Sequence, residues 1–118
     1  MAKAKKAKKK KAVIRKTATK KLIIEGKFTG SLNNQVILEV FRSNSLAKPY
    51  DFRKTYTANF KETFKDLEPQ LEYDIDITGH TVTGFTITMS GDIQAPNPQK
   101  DTIASSSFSR GYTIKTIK

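Results

Sequence analysis

The chain has 118 residues, room for one domain with one core, and no cysteine, which removes disulfides and thiolate metal sites. Its formal net charge is +11, and no apolar run is long enough to cross a bilayer as a helix, so membrane insertion is not expected. The basic N-terminus lacks the apolar stretch of a secretory signal, which predicts a cytoplasmic protein, or a virion component if the chain is phage-encoded.

The charge is placed unevenly. Lys3, Lys5, Lys6, Lys8, Lys9, Lys10, Lys11, Arg15, Lys16, Lys20 and Lys21 stand in residues 1–21 with no acid among them. Those eleven charges equal the whole net charge, because residues 22–118 hold eleven basic and eleven acidic residues. The pattern predicts a polybasic arm over 1–21 and a formally neutral folded domain over 22–118. Alanine and lysine favour helix, but dense like charge opposes compaction, so the arm is expected to be disordered alone. Fully extended it would reach roughly 70 Å. Val13 and Ile14 are its only apolar pair.

In the body, Leu22, Ile24, Gly26 and Phe28 share one face of a first strand, which the turn-rich segment from Gly30 to Asn34 closes. Gln35 to Arg42 reads as a second strand, apolar enough on both faces for a central position. Ser43 to Phe52 reads as a loop, Arg53 to Phe60 as a third strand, and Glu62 to Pro69 as a connection. From Leu71 to Met89 the alternation is strict. Leu71, Tyr73, Ile75 and Ile77 interleave with Glu72, Asp74, Asp76 and Thr78, and Phe85, Ile87 and Met89 interleave with Thr86, Thr88 and Ser90. This segment is expected to be a β-hairpin. A two-residue loop at Gly79-His80 would split its apolar set between two faces. A three-residue loop through Thr81, or a bulge at Gly84, would keep that set together, and the three-residue loop is preferred. Gly91 to Asp101 carries two prolines and reads as a loop. Ile103–Ser109 and Tyr112–Ile117 then form a closing strand pair around Arg110-Gly111. About seven short strands without a convincing helix predict an all-β antiparallel sandwich.

The stretch Leu67-Glu-Pro69-Gln-Leu-Glu-Tyr73 resembles the Leu-x-Pro-x-x-x-Tyr signature of fibronectin type III domains. The resemblance implies an immunoglobulin-like β-sandwich. In it Leu67 would be a core residue, Pro69 the corner, and Tyr73 a corner tyrosine whose hydroxyl returns to the backbone just upstream.

Candidate chemistry is sparse outside the arm. Each lysine can neutralise a phosphate and release a counterion, so the arm suits polyanions, and with no aromatic to stack on bases it suits them without regard to sequence. A solubilising tail is the plain alternative. His80, the single histidine, is placed in a turn tip with no orienting partner, and reads as a polar turn residue rather than an acid or base. Glu72, Asp74 and Asp76 line one strand face and read as solvated charge before a calcium site. Ser105, Ser106 and Ser107 lack a nucleophile elbow. Tyr50, Phe52 and Tyr112 could anchor a protein contact or be buried. No metal or cofactor and no enzymatic activity is expected. The sequence thus points to a structural or assembly protein, for instance in a virion or other nucleoprotein particle. Its sandwich would meet protein partners or copies of itself, and its arm nucleic acid or an acidic protein surface. The alternative is a sequence-nonspecific DNA- or RNA-binding protein acting through the arm.

Overall fold

The structure, a computed structural model, describes residues 19–42, 51–104 and 106–118. Among them are eight strands and no helix: β1 (Lys20–Phe28), β2 (Gln35–Arg42), β3 (Asp51–Tyr56), β4 (Phe60–Leu67), β5 (Glu72–Thr81), β6 (Phe85–Gly91), β7 (Gln99–Ile103) and β8 (Ser106–Lys115). They form two four-stranded antiparallel sheets, β4-β1-β6-β7 and β3-β2-β5-β8. The inward faces meet in one hydrophobic core. Leu22, Ile24, Ile87 and Met89 of the first sheet, with Val36, Leu38, Ile75 and Ile77 of the second, are completely buried.

The all-β, two-sheet expectation holds, while several boundaries and pairings differ. The Leu71–Met89 hairpin does not form. β5 pairs with β2 and β8 in one sheet, whereas β6 pairs with β1 and β7 in the other. The two alternating runs face each other across the core, so their apolar sets meet through side chains rather than through a shared ladder. Alternation reports which face is buried, and an in-plane hairpin and an arch between sheets satisfy it equally. Thr81 shapes the arch: its hydroxyl accepts from the Gly84 N–H at 3.1 Å and reaches the Asn34 side-chain oxygen at 2.9 Å. Gly84 has φ of +122°, a conformation that only glycine adopts cheaply.

The expected third strand, Arg53–Phe60, is two strands in different sheets. The chain breaks pairing at Thr57–Asn59, where the Asn59 side chain accepts the Phe28 N–H at 2.8 Å, and the supposed connection from Glu62 continues as β4. Of the closing pair expected around Arg110-Gly111, Ile103 ends β7 in the other sheet, and Ser106–Lys115 run as one continuous strand, β8, paired along its length with β5. The Gly91–Asp101 loop ends earlier than expected, because Gln99 already pairs with Met89 in β7. Of the expected Ser43–Phe52 loop, residues 43–50 lie outside the described residues, and Asp51 and Phe52 belong to β3.

The Leu67–Tyr73 segment behaves as the resemblance implied. Leu67 is fully buried, Pro69 and Gln70 make the turn, and the buried Tyr73 hydroxyl accepts the Glu68 N–H at 3.0 Å. Thr116, which the sequence reading did not single out, ties the C-terminal end to this corner. Its hydroxyl donates to the Glu68 carbonyl at 2.6 Å and accepts the Leu71 N–H at 3.0 Å.

Candidate polyanion-binding arm and the charged surfaces of the sandwich

Lys3, Lys5, Lys6, Lys8, Lys9, Lys10, Lys11, Arg15 and Lys16 lie outside the described residues. Lys20 and Lys21 are described, and they open β1. The Lys21 N–H donates to the Asp92 carboxylate at 2.9 Å, and its carbonyl accepts the Asp92 N–H at 2.7 Å. The root of the basic segment is therefore fastened to the sandwich by backbone bonds, leaving both lysine side chains free of that duty.

Among the described residues, ten charged side chains form five ion pairs within the body. Two open flanks separate the sheets, one between edge strands β3 and β4 and the other between β7 and β8. Both are closed by the same kind of trio at inward-facing positions. On the first flank the Tyr56 hydroxyl donates to Glu62, and Lys54 Nζ lies 3.5 Å from the same carboxylate and 5.4 Å from the Tyr56 ring centre. Tyr56 also stacks on Phe60 with ring centres 3.8 Å apart. On the second, the Tyr112 hydroxyl donates to Asp101 at 2.6 Å, and Arg110 donates to the same oxygen at 2.9 Å. Both tyrosines are held protonated well above their ordinary range, first by burial and then by the hydrogen bond to a carboxylate. Inward-pointing polar groups on edge strands also discourage pairing with a foreign strand. Neither trio is among the expected sites; their trace in the sequence is a charged residue at an inward position, Glu62 between Phe60 and Phe64 and Arg110 between Phe108 and Tyr112. Phe52 and Tyr112, considered as loop anchors, are half-buried strand residues packed against the core, and Tyr50 lies outside the described residues.

The outward faces differ in sign. On the first sheet, Lys61, Glu25, Thr88 and Lys100 stand in one register row, with Lys27, Thr86 and Thr102 in the next. On the second, Arg53, Glu39, Asp76 and Gly111 form a row, flanked by Asp74 beside Phe41 and Thr113. Arg53 pairs with Glu39 at 2.9 Å, and Thr113 donates to Asp74 at 3.0 Å. Asp76 takes up a proton more readily than a free aspartate, through burial first and then the neighbouring Asp74 and Glu39. Among the described residues no group of acids and histidines is arranged to hold a metal ion.

His80 is not in a turn: it lies within β5, exposed, opposite Gln35 and Ser107. Ser107 thus becomes a cross-strand neighbour of the histidine, a proximity that sequence distance concealed, but their register row carries no carboxylate to orient the imidazole as a base. Ser106 is an exposed β8 residue, and Ser105 lies outside the described residues. His80 and Ser107 line an open depression of about 660 Å³ at the end of the sandwich where Leu32 and Val82 are exposed. Comparison with protein-family models, with characterised proteins and with solved structures finds no match to this chain.

Proposed function

We propose that this is a non-enzymatic structural or assembly protein. Its sandwich makes protein–protein contacts, and its lysine-rich arm contacts nucleic acid or an acidic neighbour through charge alone, as a virion or other nucleoprotein particle would require. We also read the sandwich as immunoglobulin-like with an altered course. The corner hydrogen bond of Tyr73 and the neighbours β2-β5-β8 support this reading, with the β6-β7 pair inserted between β5 and its partner β8.

One observation carries the functional reading: all of the +11 resides in residues 1–21, while the body balances its own charges. The arm contains no aromatic residue and no asparagine or glutamine, the groups that stack on bases or read their edges. Phosphate contacts position a protein without specifying sequence.

Duplex binding by the full chain, titrated with salt, tests this. Log K should fall linearly with log salt with a slope of several units, and duplexes of unrelated sequence should compete equally. Replacing Lys8, Lys9, Lys10 and Lys11 with glutamine should weaken binding to every sequence together and flatten the slope. Unchanged binding in that variant, or strong sequence preference, overturns the reading.

A further inference from the structure

The body is neutral only in sum. Outward positions of the first sheet present Lys21, Lys27, Lys61 and Lys100 against Glu25, to which Lys27 reaches at 3.8 Å, and the exposed Lys65 and Asp66 at the β4 bulge add one charge of each sign. Outward positions of the second sheet present Glu39, Glu72, Asp74 and Asp76 against Arg53 and Lys115. The basic N-terminal segment leaves from β1, which belongs to the lysine-bearing sheet. One side of the molecule is therefore basic and the other acidic.

Each face also holds apolar residues where polar ones would serve solvation better. Ile23 sits half-buried between Thr63 and Ser90 on the lysine face, and Ile37 and Phe41 sit half-buried on the acidic one. Among the described residues Asp76 has no cation at hand, since Arg53 is engaged by Glu39. It lies over Gly111, where an added Cβ would stand 3.0 Å from its carboxylate oxygen, so no cross-strand side chain covers it from the β8 side.

We propose that the lysine face of one copy docks on the acidic face of another, head to tail. The proposal rests on the assembly reading above and names the partner as a second copy of this chain. Like-on-like docking would set lysines against lysines or carboxylates against carboxylates, so charge selects the heterologous arrangement, which repeats until it closes into a ring or continues as a filament. The flanks are poor alternatives, because the inward-pointing charged groups of their edge strands discourage pairing with a foreign strand. Individual exposed ion pairs contribute little and are screened by salt, so the contact needs several of them acting with the apolar residues.

The test uses nuclease-treated full-length protein in sedimentation velocity over a concentration series. The wild type should associate at low salt and dissociate as salt rises. Asp74→Lys/Asp76→Lys makes both faces basic, and Lys61→Glu/Lys100→Glu makes both faces acidic; all four side chains are on outward faces, and thermal melts check that each variant folds. Each variant alone should remain monomeric, and an equimolar mixture of the two should associate again. A wild type that stays monomeric at low salt overturns the proposal. So does a Lys61→Glu/Lys100→Glu variant that still self-associates, since the arm would then be the occupant, and so does a mixture that fails to recover. Duplex binding, measured in parallel, should persist in both variants. Its loss with association intact would count against the arm's role in the proposed function and not against docking.

Discussion

The flanks of the sandwich and the outer face of its second sheet treat a carboxylate in opposite ways. On the flanks, Glu62 and Asp101 each receive a tyrosine hydroxyl and a nearby cation. On the outer face, Asp76 is surrounded by Asp74, Glu39 and the bare backbone of Gly111. The contrast follows from position. An inward site on an edge strand must complete the core and still meet water, which a tyrosine does by laying its ring on apolar neighbours and turning its hydroxyl outward to an acid. An outward site in mid-sheet has no such duty, so charge kept there is free for an external partner. That the flanks reach one solution from unrelated segments, with lysine on one side and arginine on the other, shows the constraint is geometric.

The strongest blow to the flanks should come from the ring between them. Phe85 is fully buried, 4.8 Å from Phe28 between ring centres, and it stacks toward Phe60 of one flank at 6.2 Å and Phe108 beside the other at 6.0 Å. Phe85→Ala should cost about 3–5 kcal/mol in denaturant unfolding, through lost burial and the cavity left behind. A loss below ~1 kcal/mol would mean that the flanks do not share a core.

The two trios themselves should separate by their cations. Tyr112→Phe leaves Asp101 with Arg110 at 2.9 Å, whereas Tyr56→Phe leaves Glu62 with only Lys54 at 3.5 Å. Hydrogen bonds to charged groups are worth about 1.5–3 kcal/mol, so Tyr56→Phe is expected in that range and Tyr112→Phe at its lower end or beneath. Reversal of that order in chemical unfolding would refute the role given to the cations. Both hydroxyls also hold their protons more tightly folded than unfolded. Their stabilisation is therefore complete below about pH 10 and is lost as pH climbs beyond it. The double Tyr→Phe variant should show a shallower alkaline decline in Tm than the wild type.

Burial was more legible in the sequence than connection. Alternation marked Leu22, Ile24, Val36, Leu38, Ile75, Ile77 and Ile87 as core, and all are buried. It could not say that β5 and β6 lie in different sheets, because facing strands and paired strands share a period of two. Among the described strands only β2–β3 and β6–β7 are consecutive and hydrogen-bonded neighbours; the other five steps cross between sheets. The edge strands were harder still. Glu62, Asp101 and Arg110 occupy inward positions and break the apolar alternation that would have announced β4, β7 and β8. The corner at Leu67–Tyr73 was readable because a local motif fixes a local bond. Tyr73→Phe should cost about 0.5–1.5 kcal/mol, since it removes one hydroxyl acceptor from the Glu68 N–H. No measurable loss of stability would show that water replaces this bond and that the corner adds nothing.

The smallest effect is expected on the outer face, and its sign sets that face apart from the flanks. Asp76 binds its proton more tightly in the folded chain, through burial and then repulsion from Asp74 and Glu39. An acid whose pKa rises on folding opposes folding once ionised. The native state is relatively favoured while Asp76 is protonated, and that advantage is lost as pH rises from the ordinary aspartate value, about 3.9, through the higher folded one. Asp76→Asn removes the repulsion and keeps the shape, so at neutral pH it should raise stability, by no more than about 0.5 kcal/mol as is usual for surface sites. The gain should vanish near pH 3, where the wild-type carboxyl is itself neutral, and shrink with added salt. Thermal melts of dilute protein at the two pH values measure it. A loss of stability at neutral pH would mean that Asp76 has a favourable partner within its own chain, and a gain independent of pH would mean that charge is not its cause.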